Sequence, residues 1–174
     1  MTTEERLDKL ERELAAMKDG TGIRATRFSL VDQQGRERAA LQMSPFGPGL
    51  ILADEKGKPR AGLGLCKDGP FLSLLDSDGS LRATVDVSEG GPTLGLFDHN
   101  SKALAMLRVG KEGPGLLLGD ENRKPRAMLR AFKDGPALVL ADENGVSRAG
   151  LALTEEGPGL RLADEKGRIT WSAP

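Results

Sequence analysis

The side chains with the most chemistry to offer are few, and they stand apart from one another. Asp76-Ser77-Asp78-Gly79 has the oxygen-rich opening of a calcium loop, yet Val87 holds the place where such a loop needs its bidentate glutamate. The segment reads as an ordinary turn. The aspartates as a series also miss the Gly-Gly-x-Gly-x-Asp nonapeptide of calcium rolls. His99 is the single histidine and Cys66 the single cysteine, so they cannot assemble the nitrogen and sulfur ligands of a zinc site. His99, beside Asn100, reads as a turn residue. Cys66 reads as a partly exposed, unreactive thiol in the place that Ser44, Ser88 and Thr154 take elsewhere. No Gly-x-x-x-x-Gly-Lys-Ser/Thr loop is present to cradle phosphate. Carboxylates crowd the turns, but none has a helper group or a recognisable cleft. The sequence therefore predicts no catalytic residue, no metal, no cofactor and no enzymatic activity.

Composition narrows the partners. The 174 residues carry Lys+Arg 25 against Asp+Glu 26, a net charge of −1, without the basic excess that phosphate contacts require. Nucleic acid is not an expected partner. Aromatics are 3% with no tyrosine, which argues against base-stacking platforms, while glycine is high at 23 residues. The apolar stretches fall short of the ~18 residues of a membrane span, and no signal peptide is evident. The expectation is no direct membrane insertion and, with one cysteine and no possible internal disulfide, a cytoplasmic or similarly reducing location.

The elements that would position any site come from an internal repeat. Gly-Pro recurs at Gly47-Pro48, Gly69-Pro70, Gly91-Pro92, Gly113-Pro114, Gly135-Pro136 and Gly157-Pro158, always 22 residues apart. Six residues after each proline stands an aspartate: Asp54, Asp76, Asp98, Asp120, Asp142 and Asp164, with Asp32 one period earlier. The consensus G-P-x-L-x-L-x-D-x-x-G-x-x-R-A-x-L-x-L-x-x-x thus spans seven units without insertion or deletion. Such fixed periods mark repeat arrays. Within a unit, Leu50 and Leu52 alternate with Ile51 and Ala53, then Ala61, Leu63 and Leu65 alternate with Gly62 and Gly64. Period 2 over so few residues predicts two short strands per unit, fourteen in all. The seven aspartates are structural turn residues: Asp-x-x-Gly combines an Asx-type hydrogen bond with a glycine free to take positive φ. Proline after the acidic-Gly break suits the start of a strand.

The two strands of a unit differ on the face away from the leucines. The first strand places Ile51, Leu75, Phe97, Leu117 and Val139 there, whereas the second places Gln42, Thr84, Asp86, Arg108 and Arg130. Strands apolar on both faces are normally covered on both sides. Ile51, Leu75, Phe97, Leu117 and Val139 are therefore predicted at an oligomer interface, with the second strands forming its wetted wall.

Residues 1–19 follow a different rule and form the first of two segments, the other being the repeats of 20–174. Leu7, Leu10, Leu14 and Met17 are spaced 3-4-3, the a and d positions of two heptads. Thr2-x-x-Glu5 is a capping box, and Gly20 stands where a helix ends. Arg6 with Glu11, and Glu13 with Lys18, attract when helices run parallel in register, so a parallel coiled coil is expected; the alternative is a helix lying on the repeat body. Two heptads are marginal alone, which assigns the coil to register and the body to association.

A propeller blade needs four strands and ~40–50 residues, and is excluded. An open antiparallel meander would leave a one-sided apolar sheet with two free edges. The predicted fold is therefore an all-β repeat protein of stacked coils, a β-solenoid or a triple-chain β-prism, with the N-terminal coiled coil. In a single-chain solenoid the aspartates would stack at ~4.8 Å, neutralised by Arg38, Arg60, Arg82, Arg126 and Arg148, six residues after their aspartates. Interleaving three chains would separate them to roughly 14 Å.

Arg27-Phe28-Ser29-Leu30-Val31-Asp32, the Gly-Pro-x-Leu-x-Leu-x-Asp-x-x-Gly-x-x-Arg-Ala repeat and Trp171-Ser172-Ala173-Pro174 resemble an uncharacterised bacterial family. Its members set a coiled coil, often with a membrane span, before arrays of this repeat. The resemblance implies the architecture and no activity; lacking a span, this chain does not inherit membrane attachment. The functional expectation is a structural or interaction protein, a rigid homotrimeric β-stalk that spaces or presents partners. The alternative is a glycan- or surface-binding module of tail-fibre or adhesin type, for which Phe132, Met106 and Met128 on the second-strand outer face are the hint.

Overall fold

The computed structural model describes residues 2–18 and 24–174, the side chains of residues 16–18 excepted; Met17's side chain and Gly20 lie outside the described residues. Helix α1 (Thr3–Lys18) opens with the expected capping box. The Glu5 backbone N–H donates to Thr2 Oγ1 at 3.2 Å, and the Thr2 N–H donates to Glu5 Oε2 at 2.7 Å. Leu7, Leu10 and Leu14 are all more than half exposed, and among the described residues the helix touches no strand. It does not lie on the repeat body.

The first strand of each unit is β1 (Arg27–Val31), β3 (Gly47–Ala53), β5 (Gly69–Leu75), β7 (Gly91–Phe97), β9 (Gly113–Gly119), β11 (Gly135–Ala141) or β13 (Gly157–Ala163). The second is β2 (Glu37–Ser44), β4 (Pro59–Cys66), β6 (Leu81–Ser88), β8 (Ala103–Gly110), β10 (Pro125–Phe132), β12 (Ser147–Thr154) or β14 (Ile169–Ala173). Period 2 placed these strands correctly. The sheet they build corrects the stacked-coil expectation. All fourteen strands join one unclosed sheet in the order β1 to β14, each antiparallel to the next. The chain is the open meander that the sequence reading set aside.

The turns explain why. Cys66 pairs with Gly69, leaving only Lys67-Asp68 as the loop, and Ser44 pairs with Gly47 around Pro45-Phe46. Two-residue loops return the chain antiparallel to its own neighbour, whereas parallel coils need long crossovers. At the other break the Asp54 N–H donates to the Lys58 carbonyl at 2.9 Å and the Gly57 N–H to the Asp54 carbonyl at 3.0 Å. A register shift beside each such turn, as between Leu52 and Ala53, absorbs the extra residue as a bulge. Equivalent aspartates then lie two strands apart, ~10 Å, so the repulsive 4.8 Å ladder never forms.

Register sorts the side chains into two faces. On one, Leu41, Leu50, Leu63, Leu72, Val85, Leu94, Leu107 and Leu116 stand in a single row that continues to Leu160. The adjoining row alternates large and small: Leu52, Ala61, Leu74, Ala83, Leu96, Ala105, Leu118, Ala127. The opposite face is built from small and polar residues interrupted by larger ones. Among the described residues nothing covers the leucines. Leu63 is 54% exposed, Leu107 48% and Leu129 51%, while Ala40 is the one buried apolar side chain among the described residues.

Candidate functional site

Two features stand out once side chains are placed on this sheet. The first is the set of aspartate turns. At Asp142, Oδ1 accepts the backbone N–H groups of Asn144 at 2.9 Å and Val146 at 3.0 Å, and Oδ2 lies 3.3 Å from Nη1 of Arg148. Arg148 Nε donates in turn to the Ala163 carbonyl at 2.8 Å, the residue just before the next unit's Asp164. Arg38, Arg60, Arg82 and Arg126 repeat this reach to Ala53, Leu75, Phe97 and Ala141. Each arginine therefore ties its own turn to the next strand. The unit of Asp98 lacks the tie, because Leu104 replaces the arginine. There Ser101, like Arg123 in the following unit, takes the positive φ that glycine supplies elsewhere.

These carboxyls all sit below their ordinary value. At Asp32, Asp54, Asp76, Asp120 and Asp142 partial shielding from water is the largest single influence and pushes upward; backbone N–H donors and the arginine together outweigh it. At Asp98 and Asp164 the largest influence is itself a backbone N–H, from Lys102 and Arg168 respectively. Asp76, with Oδ1 committed to Asp78 and Ser80 and Oδ2 to Arg82, is arranged as an Asx turn. His99 has its Nε2 3.0 Å from Asn100 Nδ2, and its ring also helps hold the neighbouring Asp98 carboxyl down. Cys66 Sγ donates to the Gly69 carbonyl at 3.4 Å, as Ser44 does to Gly47 and Thr154 to Gly157.

The second feature is the leucine face. At on the order of 70–100 Å² for each half-exposed leucine, it presents on the order of 2,000 Å² of apolar surface, several times the largest patch of an ordinary monomer. The five apolar residues assigned to an interface lie on the other face and are half-buried. Ile51 stands between Ala40 and Gly62, Leu117 between Met106 and Met128, and Val139 between Met128 and Gly150. Leu75 and Phe97 sit at bulged strand ends opposite Leu81 and Ala103. They are therefore spread along the sheet and form no single cluster. Sequence reasoning used such a one-sided apolar sheet as an objection to a meander and did not take the leucine face as an interface. The row of leucines, broken only by Val85 between Leu72 and Leu94, was its signal.

That opposite face holds two open hollows. One, of about 600 Å³, is lined by Gln42, Gly49, Ile51, Gly64, Phe71 and Leu75. The other, of about 590 Å³, lies over Arg108, Gly115, Arg130 and Phe132. Among the described residues no group of three histidine, cysteine or acidic side chains is placed to hold a metal, and no helix is long and apolar enough to cross a membrane.

No family model and no curated protein matches the chain. Among solved structures, part of a TarM mutant from S. aureus, in complex with fondaparinux, α-GlcNAc-glycerol and UDP, is similar over 51% of this chain at 13% identity and a TM-score of 0.37. A GtfA/B complex bound to UDP and GlcNAc is similar over 75% at 12% identity and a TM-score of 0.29. The TcdB2-TccC3-TEV structure is similar over 91% at 12% identity and a TM-score of 0.25. The matched parts are 19%, 25% and 9% of those chains. Two of the three are glycosyltransferases, so the expectation that enzymes are excluded is withdrawn. The likeness assigns no activity, substrate or residue to this chain.

Proposed function

We propose that the chain is a structural or interaction protein, a parallel homotrimeric β-stalk that spaces or presents partners. Three sheets turn their leucine faces inward as a triangular prism, and the helices zip as a short coil at one end through Leu7, Leu10, Leu14 and Met17. The observation that carries this reading is a sheet with no core of its own: its large apolar side chains stand in continuous rows that no other described residue covers. A specific interface needs ~800 Å² per partner, and this face exceeds it more than twofold. Alternating leucine and alanine along one row supplies knobs and holes for a second copy of the same row. On the opposite face Gln42, Asp86, Thr93, Arg108 and Arg130 share one row with Phe71. In the adjoining row Ile51, Met106, Leu117, Met128 and Val139 are half-buried, and this mixture suits water better than the leucine rows do.

The stalk has predictable dimensions. Strands of 7 or 8 residues are ~25 Å long, and fourteen of them at ~4.8 Å spacing extend about 60 Å. Small-angle X-ray scattering should show a rod of that body length with the helical segment added. A compact, near-spherical particle would contradict the reading.

A further inference from the structure

On the face turned away from the leucines, strands β8, β9 and β10 carry a grid whose rows are set by register. The middle row is Arg108, Gly115, Arg130; the row on one side is Met106, Leu117, Met128. On the other side stand Gly110, Gly113 and Phe132. The two guanidinium stems are thus two strand spacings apart, ~10 Å, with a bare glycine between them. The hollow above is about 590 Å³ and open to solvent.

The repeat serves as its own control. The place of Arg108 and Arg130 is filled in other units by Gln42, Gly64, Asp86 and Ala152. The place of Phe132 is filled by Ser44, Cys66, Ser88 and Thr154. Ser44, Cys66 and Thr154 use their side chains to hold the hairpin through the carbonyl of the glycine three residues on. Phe132 gives that hydrogen bond up, and so does Gly110. Ser88 makes no such bond either, so what sets these two successive units apart is the two cations and the aromatic ring they add on one patch. Folding does not require this.

Both arginines keep donors to spare. Arg108 spends Nε and Nη2 on the Gly90 carbonyl at 3.3 and 3.0 Å. Arg130 lies over the Phe132 ring, 5.4 Å from its centroid, and its Glu112 neighbour stays at 4.0 Å, beyond hydrogen-bond reach. Guanidinium groups recognise carboxylates in the plane of the fork, and an aromatic face takes the apolar side of a sugar ring. Glu89 and Glu112 on the rim offset part of the positive charge of Lys111, Arg108 and Arg130, which suits an anion of sparse charge better than a densely charged phosphate polymer.

We propose that this grid is a binding site for an acidic saccharide, a chain of sugar rings carrying carboxylates, with Arg108 and Arg130 taking the carboxylates and Phe132 supporting a ring. It goes beyond the stalk reading and does not depend on the number of chains. The test is calorimetric titration of the full-length protein with tetragalacturonate, with neutral maltotetraose and inorganic sulfate as comparisons. Three substitutions return the grid to residues that other units use: Arg108→Gln, Arg130→Ala and Phe132→Ser. Tetragalacturonate should bind, the arginine pair of substitutions and Phe132→Ser should each weaken it tenfold or more, and maltotetraose should not bind. Absence of tetragalacturonate binding, equal binding of maltotetraose, indifference to the substitutions, or sulfate competing as well as the saccharide would overturn the assignment. Sedimentation of the same variants separates the two proposals: weaker binding with the assembly state unchanged supports the site and leaves the stalk standing, unchanged binding counts against the site, and a change of assembly state alone counts against the stalk.

Discussion

Leu107 offers a direct probe of the covered face. It lies mid-sheet, in the row between Leu94 and Leu116, and is 48% exposed in the single chain. If a neighbouring copy covers that exposed half, Leu107→Ala removes on the order of 70 Å² more contact than alanine retains. At ~25 cal/mol per Å² this is about 1.7 kcal/mol per chain before any cavity contribution. Over three chains the loss approaches ~5 kcal/mol, a fall of more than a thousandfold in the assembly constant. For a chain of this size, melting should drop by roughly 3–7 °C. Thr93→Ala, on the paired strand but the opposite face, is the control for lost strand propensity and should shift melting far less. The assay is thermal unfolding at several protein concentrations, with sedimentation equilibrium on both variants. Leu107→Ala behaving like Thr93→Ala, with mass and melting unchanged, would refute the covered face.

Gly135→Ala should be more damaging than Gly157→Ala: both have strongly positive φ, but an added Cβ at Gly135 meets the Leu153 carbonyl oxygen at 1.8 Å and one at Gly157 meets nothing within 4 Å. Urea unfolding of the two variants checks the order, and equal losses would contradict it. Asp142→Ala should lower the melting temperature more than Asp98→Ala, since only Asp142 anchors an arginine that reaches the next unit; the reverse order in thermal melts would show that the arginine tie contributes nothing. Because the turn carboxyls are lowered in the folded state, their stabilisation is complete above the ordinary carboxylate value and is lost as pH falls through the lower folded values. Melting should therefore hold steady from pH 7 to about 5 and decline below about 4, whereas a melting temperature flat down to pH 2 would contradict the turn assignment. Deleting residues 1–19 should leave a folded β oligomer by circular dichroism and sedimentation; a random-coil monomer would mean that the coil holds the assembly together.

Much of this architecture was legible in one chain. The 22-residue period, the alternation of Leu50 and Leu52 with Ile51 and Ala53, the Asx turns and the Thr2–Glu5 capping box all rest on local chemistry, and local chemistry decides them. Strand neighbours were less accessible, although the information was present. Counting the loop between Cys66 and Gly69 as two residues would have favoured the meander over stacked coils. The objection to a meander assumed that each chain covers its own leucines, and a sheet such as this need not. The grid over Gly115 was harder still, because Arg108, Arg130 and Phe132 are distant in sequence and meet only through antiparallel register. Their common signal was departure from the repeat at the same two places.

Sedimentation equilibrium on the unmodified chain bears most directly on the central claim, that a sheet without its own core is completed by copies of itself. A protomer of 18.5 kDa should run as a single species of about 55 kDa over a wide concentration range. A dimer would keep the shared core and change only its number. A folded, stable monomer of 18.5 kDa, with its leucines facing water, would contradict the account.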